Sequence, residues 1–328
     1  MTAAPIRVAV VGVGEFGRNH VRVWRETEGA ELVGVCDTNR ERAEKVAAEY
    51  STRAFSSLEA LLAEGVAAAS VAVPTKDHGT VGVRLLETGM DVLVEKPIAT
   101  TVEEADRLIA AARAGKRILQ VGQVERFNPA VIAAQKILSR PLFFEVHRLG
   151  VFTPRSLDID VVYDVMIHDL DILLTMVGAP VADLRAVGIP VITEKVDIAH
   201  ARLEFANGTV ANLTASRVST ERVRKMRFFQ EHEYVSLDFG RRDVLRVRVK
   251  PGEGPQPEIG FEKLPTEPEE PLHAELRAFL ESVRTRRPPV VDGPAGRAAL
   301  ELADRVMTGI LEHAKRVQLG AFTPQGAG

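Results

Sequence analysis

The apolar positions of this chain follow two different patterns, the first breaking after Gly122 and the second, of period two, setting in from Ala182. Short runs rich in β-branched residues occupy Ile6 to Val11, Glu31 to Cys36, Ala67 to Val73, Val92 to Val94 and Ile118 to Val121. Each has the length and composition of a buried strand. Between them the apolar spacing is helical, over Arg18 to Thr27, Arg40 to Glu49, Ser57 to Glu64, His78 to Thr88 and Thr101 to Ala114. The last of these carries Val102, Ala105, Leu108, Ile109 and Ala112 on one face, with Gly115 as its expected stop. Strands alternating with helices in this way predict a doubly wound parallel sheet.

Beyond Gly122 the pattern breaks. Gln123 to Pro129 mixes charge, an aromatic ring and an amide, which suits a linker. A helix is expected over Ala130 to Leu138, a strand over Pro141 to Leu149, a polar loop over Val151 to Asp158, and a longer helix from Asp160 onward. From Ala182 the period becomes two. In Ile198 to Phe205, Ala199, Ala201, Leu203 and Phe205 share one face, while His200, Arg202 and Glu204 share the other. Asn207-Gly208 reads as a two-residue hairpin turn into Val210 to Val218. Arg227 to Phe239 and Val244 to Val249 extend a largely antiparallel sheet, covered on one face by the helix from Asp160. Its other face, rich in Thr, Ser and Val, suits a subunit contact. Pro251 to Pro271 reads as a surface connection, Leu272 to Arg284 and Pro294 to Lys315 as closing helices, and Gly320 to Gly328 as a loose tail. The basic clusters Arg222 to Arg227 and Arg241 to Arg248 read as solvated strand edges.

Composition narrows the function class. At 328 residues the chain suits two domains, and 45% hydrophobic with 27% charged residues is ordinary for a soluble globular protein. A net charge of −3 and 5% aromatic residues argue against a nucleic-acid partner. The single cysteine, Cys36, rules out an internal disulfide and a Cys-rich zinc site, and no metal site is expected. No run approaches the roughly 20 apolar residues of a membrane span. The expected location is the cytoplasm, with no membrane partner.

Candidate chemistry clusters at strand ends. The first strand runs into Gly12-Val13-Gly14-Glu15-Phe16-Gly17, a helix and a second strand follow, and Asp37 stands 20 positions after the third glycine. Gly12 permits the tight turn, Gly14 lets the backbone approach a pyrophosphate, and Gly17 lets helix pack on strand. Asp37 suits the adenosine ribose hydroxyls and disfavours a 2′-phosphate, so NAD is expected, although Arg40 keeps NADP open. Asp37 is equally placed to cap the next helix. Pro74-Thr75 ends another strand of this Rossmann pattern, and His78 just beyond it suits either a place near a nicotinamide or packing. Asp91 to Val94 ends in Glu95-Lys96-Pro97; proline stops the strand, and two charges at its mouth need partners or a ligand. Asp164 and His168 stand four apart on the Asp160 helix, beside a stripe of Val161, Val165, Ile172 and Met176. They suit either a general base with its orienting carboxylate or a solvated ion pair, with Asp171 as rival partner.

In that order and spacing, GVGEFG, the strand ending in Glu95-Lys96-Pro97 and Asp164-x-x-x-His168 resemble the Gfo/Idh/MocA oxidoreductases over essentially the length of the chain. The resemblance implies an N-terminal Rossmann domain, residues 1–123. It implies a second α/β domain, 124–328, whose open sheet serves homodimer or homotetramer contacts and whose site takes a sugar, nucleotide sugar or cyclitol. By it, Lys96 and His168 are catalytic, with Asp164 supporting, and all three touch substrate. Glycine-turn residues 12–17, Asp37, Pro74, Thr75, His78, Glu95 and Lys96 would line the cofactor. The Lys96-Pro97 peptide can be cis in relatives. Val124 to Pro129 (VERFNP) and Val210 to Arg217 (VANLTASR) further resemble the branch that includes UDP-N-acetylglucosamine 3-dehydrogenases. Arg126 and Asn128 are then substrate contacts, or else caps of the following helix. The alternatives are a dehydrogenase of a free sugar or inositol, and a dinucleotide-binding sensor without turnover.

Overall fold

A computed structural model describes residues 4–153, 158–250 and 257–318. The chain forms two compact units: Met1–Phe127 with Glu269–Leu300, and Asn128–Pro268 with Glu301–Gly328.

In the first unit the strands are β1 (Ile6–Val11), β2 (Ala30–Cys36), β3 (Arg53–Phe55), β4 (Ala68–Val71), β5 (Asp91–Glu95) and β6 (Leu119–Gly122). They lie in the order β3-β2-β1-β4-β5-β6, all parallel. The order reverses between β1 and β4, and the carboxyl ends of strands at such a switch point are where ligands bind. The helices are α1 (Glu15–Glu26), α2 (Arg40–Glu49), α3 (Leu58–Leu62), α4 (Thr75–Glu87) and α5 (Val102–Gly115). Ser57 caps α3 and Thr101 caps α5 with their side-chain oxygens. Helix α5 does not stop at Gly115: it runs through it, and Lys116 takes the left-handed C-cap at φ 51°. A single residue with positive φ suffices to end the helix, and here the chain spends a lysine on it.

The C-terminal return to this unit is not signalled by the patterns along the chain. Helix α8 (Pro271–Thr285) lays Leu272, Leu276, Phe279 and Leu280 against the core made by Val8, Val10, Val21, Trp24 and Leu93. Trp24 meets Phe279 edge to face at 6.3 Å between centroids, and its indole donates to Ser70 Oγ at 2.9 Å. Past α8, Arg286 holds both oxygens of Asp91, at 2.6 and 3.1 Å, which fixes the start of β5.

The second unit is built on an eight-stranded sheet. After α6 (Pro129–Gln135) come β7 (Phe143–Leu149), α7 (Ile167–Val177), β8 (Val181–Ile189), β9 (Ile198–Phe205), β10 (Val210–Ser216), β11 (Val223–Gln230), β12 (Glu233–Asp238), β13 (Asp243–Lys250) and β14 (Glu258–Lys263). The order is β14-β13-β12-β11-β7-β10-β9-β8, antiparallel except for β7 with β10. Burial alternates as the period of two requires: Phe144, Val146, Met226, Phe228, Val235 and Leu237 are covered. Helix α9 (Gly293–Arg316) closes the chain, running from the first unit into the second.

Four expectations are corrected here. Arg227 to Phe239 is not one strand but β11 and β12, turned at Glu231-His232, where His232 adopts φ 58°. The stretch after Pro251 contains β14, because Ile259 and Phe261 pair with Val249 and Val247; residues 251–256 lie outside the described set. The hairpin at Asn207-Gly208 has a longer loop, residues 206–209, with Gly208 at φ 88° and Asn207 Oδ1 accepting from the Thr209 amide. The basic clusters are not sheet edges: Arg227 pairs with Glu145 across the sheet, and Arg246 and Arg248 meet Glu233. Part of the expected Val151 to Asp158 loop, residues 154–157, and the Gly320 to Gly328 tail lie outside the described residues.

Candidate functional site

The glycine turn is shaped by close approach. Gly12 has φ 85°, and a Cβ there would stand 2.6 Å from the Val73 amide nitrogen. At Gly17 a Cβ would fall 1.9 Å from the Gly12 carbonyl oxygen, so helix α1 could not seat against the turn. Gly14 differs: a Cβ there would meet nothing within 4 Å. Its bareness serves no internal packing and leaves the backbone open at the start of α1, where no side chain caps the helix. Helix N-terminal amides in that setting favour a phosphate. Glu15 and Phe16 begin α1 at this mouth, with Phe16 exposed. Pro74 and Thr75 begin α4 beside the Gly12 turn, at the end of the strand neighbouring β1.

Asp37 sits at the carboxyl end of β2 with its carboxylate fully engaged. Oδ2 accepts from the Val13 amide (2.8 Å) and Arg42 Nε (3.0 Å); Oδ1 accepts from the Asn39 amide (2.8 Å) and Arg42 Nη2 (2.7 Å). Burial pushes this carboxyl up, but the Arg42 fork and the two amides outweigh it and hold it below the usual range. Asp37 is not the cap of α2; Asn39 is, accepting from the Arg42 amide at 2.9 Å. Arg40, read as open to a 2′-phosphate, pairs with Glu44 one turn on, and the cation at the Asp37 carboxylate is Arg42. These residues fit a dinucleotide: a turn that needs glycine at positions 12 and 17, an open helix start, and a carboxylate at the end of β2. Next to it, Cys36 is buried, and burial with the neighbouring Asp37 pushes its thiol up to about 11, so it is inert.

At the end of β5, Lys96-Pro97 is cis. Glu95 turns inward: Oε1 meets His20 Nε2 at 2.9 Å and Oε2 accepts from the Lys96 amide at 3.3 Å. Gly122 on β6 makes the room, because a Cβ there would lie 2.6 Å from Glu95 Oε1. His78 is buried, with Nδ1 2.8 Å from the Pro97 carbonyl oxygen and Nε2 2.9 Å from that of Val73. Neutral, the ring donates to one of these carbonyls and packs against the other, beside the β4 and β5 ends. Burial lowers its pKa, against the opposing pull of those carbonyls and of Glu95.

In the second unit, Asp164 lies in a π-helical turn, Val162–Met166, where the Ile167 amide bonds to the Val162 carbonyl; His168 follows in the first turn of α7. Both are half-buried. A π turn holds one more residue than an α turn, and such turns recur at functional sites. The neighbouring Asp169 is locked by a buried two-point ion pair with Arg148 of β7, at 2.8 and 2.7 Å, and Arg148 lies over the Phe239 ring. Tyr163 ties the same turn to α9 through Asp304 at 2.7 Å. Asn128 is buried as the cap of α6, accepting from the Ala130 amide and donating to the Phe239 carbonyl, each at 3.1 Å. Arg126 is half-buried in the 3₁₀ turn Val124–Phe127.

Sequence reasoning missed Arg42, Arg148, His20 and Glu275. Arg148, His20 and Glu275 had a signal: parity along β7 puts Arg148 on the apolar face with Phe144 and Val146, and helical spacing puts His20 on the face of Gly17 and Trp24 and Glu275 on that of Leu272 and Phe279. No helix among the described residues is long and apolar enough to cross a membrane, and they hold no cluster of metal-ligating side chains.

Comparison with known proteins agrees with this geometry. Residues 6–123 match the model of the oxidoreductase family with an NAD-binding Rossmann fold, and 132–234 match the GFO/IDH/MocA C-terminal domain. The chain is 41% identical over 307 residues to the UDP-N-acetylglucosamine 3-dehydrogenase of Acidithiobacillus ferrooxidans, covering 93% of this chain and 97% of that one. A solved structure of that enzyme superposes with a TM-score of 0.88 at 40% identity, over 94% of this chain and 98% of that one. The scyllo-inositol 2-dehydrogenase (NAD(+)) of Bacillus subtilis is 29% identical over 65% of this chain and 68% of its own. A levoglucosan dehydrogenase in complex with NADH and levoglucosan shares the fold, with a TM-score of 0.85 at 18% identity over 94% and 97%. A turn in which Gly12 and Gly17 leave no room for a Cβ, an acid at the end of β2 and both family models together place the chain in the GFO/IDH/MocA family, as an oxidoreductase with an NAD-binding Rossmann domain.

Proposed function

We propose that this chain is an NAD-dependent dehydrogenase that oxidises a secondary hydroxyl of a nucleotide sugar, the C3 hydroxyl of UDP-N-acetylglucosamine being the leading candidate. The observation that carries the reading is the near full-length likeness to the Acidithiobacillus enzyme of that name. Bound NAD supplies the hydride acceptor. Gly12, Val13, Gly14, Glu15, Phe16 and Gly17 hold its pyrophosphate, and Asp37 its adenosine ribose.

Lys96 donates a hydrogen bond to the sugar oxygen and stabilises the alkoxide charge that grows there. His168 accepts the hydroxyl proton, and Asp164 orients the imidazole. Arg126 stays a candidate for substrate contact. Asn128, already committed to the α6 cap and to Phe239, supports the fold of the second unit first.

The outer face of the eight-stranded sheet supports a homodimer or homotetramer. Phe143, Phe229, Tyr234, Val247 and Phe261 form one cross-strand row, and Phe261 is 72% exposed. Such a row on an open sheet is what a second copy would cover.

A second reading, an inositol or free-sugar dehydrogenase, draws on the partial likeness to the Bacillus enzyme. One panel separates the two: NAD with UDP-sugars, free hexoses and inositols, followed by absorbance of the reduced nicotinamide with a ketone trap present. Turnover confined to UDP-N-acetylhexosamines supports the proposal. Turnover of inositols alone overturns it in favour of the second reading, and cofactor binding without turnover of any substrate points to a sensor.

A further inference from the structure

Beneath Lys96 the first unit buries more ionisable groups than a dinucleotide turn needs. Glu275 of α8 is 0% exposed, and among the described residues neither of its carboxyl oxygens has a hydrogen-bond partner. Glu95 is its acidic neighbour. Glu95 is the opposite case, with Oε1 on His20 Nε2 and Oε2 on the Lys96 amide. Gln120 of β6 donates to the Glu275 backbone carbonyl at 3.2 Å, which fixes where α8 delivers its carboxyl.

Two carboxyls that share a buried site cannot both carry charge cheaply, and the one without donors keeps the proton. Here that is Glu275. Glu95, whose oxygens both face N–H groups, is left as the acceptor. When Glu95 accepts from His20, the proton of that ring sits on Nε2; the Nδ1 atom has no partner among the described residues.

We infer that His20, Glu95 and Glu275 form one buried positioning unit for Lys96, with Glu275 protonated and Glu95 anchoring the lysine's backbone. The inference rests on the reading that Lys96 meets the substrate. Burial, with the Glu95 charge adding to it, holds the Glu275 carboxyl well above the ordinary range, in line with this arrangement. The titratable groups acting on the unit are Glu95 of β5, His20 of α1, and His78 of α4, which feels the Glu95 charge.

The consequence is a division of labour. Glu275 keeps a second negative charge away from Glu95. Glu95 holds the amide of Lys96 in place, just before the cis peptide. His20 fixes the Glu95 carboxylate. All three act through the lysine and touch no substrate.

Two measurements test this on the full-length protein. The first needs neither cofactor nor turnover: infrared difference spectra of wild type minus E275Q near neutral pH. A protonated-carboxyl C=O band present in wild type and absent in E275Q supports the inference; its absence from wild type overturns it. The second compares E95Q with wild type in kcat, KM and NADH affinity. A kcat at least tenfold lower, with NADH affinity within threefold, supports positioning of the lysine. Unchanged kcat overturns it. Should E95Q fail to fold, the infrared arm decides alone. If wild type oxidises no UDP-sugar, the proposed substrate fails while the infrared result stands, so the two failures are distinguishable.

Discussion

Arg42 is the residue whose removal says most about cofactor choice. All four acceptor positions of the Asp37 carboxylate are filled, two of them by the Arg42 fork. A ribose diol that donates to Asp37 must displace that fork. The displacement is cheap, because the Arg42 side chain is 47% exposed and an ion pair this open is worth about 0–1 kcal/mol. A 2′-phosphate meets a different balance. At an effective dielectric of about 20, two unit charges about 4 Å apart interact by about 4 kcal/mol, so Asp37 repels the phosphate strongly and Arg42 offsets much of that. A charge-assisted hydrogen bond contributes about 1.5–3 kcal/mol, and screening at this exposure reduces it to about 1–2 kcal/mol. Arg42→Ala should therefore raise the NAD-to-NADP ratio of kcat/KM by about five- to thirty-fold, since about 1.4 kcal/mol is a factor of ten. NAD kcat/KM should stay within about threefold of wild type. The assay is initial-rate kinetics with both cofactors at saturating sugar and two ionic strengths, the effect shrinking at high salt. A ratio that does not move, or an equal loss with both cofactors, refutes the argument.

Other outcomes follow from the same geometry. Gly14→Ala should leave the melting temperature of the cofactor-free protein unchanged while weakening NAD binding at least tenfold by calorimetry; Gly17→Ala, whose Cβ would strike the Gly12 carbonyl, should lower the melting temperature itself. Phe279→Ala should cost about 3–5 kcal/mol in urea unfolding followed by fluorescence of the one tryptophan, Trp24, and a loss below about 1 kcal/mol would deny α8 its place in this core. His78 is neutral in the fold because burial lowers its pKa, so the unfolded chain takes up its proton first as pH falls below about 6.5. Its stabilising contribution is present above that pH and lost below it, and His78→Gln should flatten the fall in melting temperature between pH 7 and pH 5. Lys96→Met and His168→Asn should each lower kcat at least a hundredfold, about 2.7 kcal/mol of transition-state stabilisation, with NAD affinity retained; near-normal turnover in either removes that residue from the mechanism.

The chain's local chemistry determined most of the first unit. Strand runs, helix caps and the glycine turn are short-range features, so β1, α1, β2 and Asp37 could be read in order, and so could the strand that ends at Glu95-Lys96. Period-two alternation gave the second sheet its buried face for the same reason. Tertiary structure decided what depends on contacts distant in sequence. Helix α8 returns to the Rossmann unit because Phe279 of its apolar stripe meets Trp24, 255 positions earlier in the chain, and no periodicity encodes that partner. The ambiguity at Glu95 was resolved by His20 and by the space above Gly122, neither of which neighbours it along the chain. Arg42 rather than Arg40, the residue read as open to a 2′-phosphate, stands at Asp37, because helix α2 turns the one toward the carboxylate and the other toward Glu44. Glu275 stands in the apolar stripe of α8, three residues after Leu272 and four before Phe279, but only packing shows that its carboxyl is buried with no hydrogen-bond partner among the described residues, because the groups around it come from strands distant in sequence.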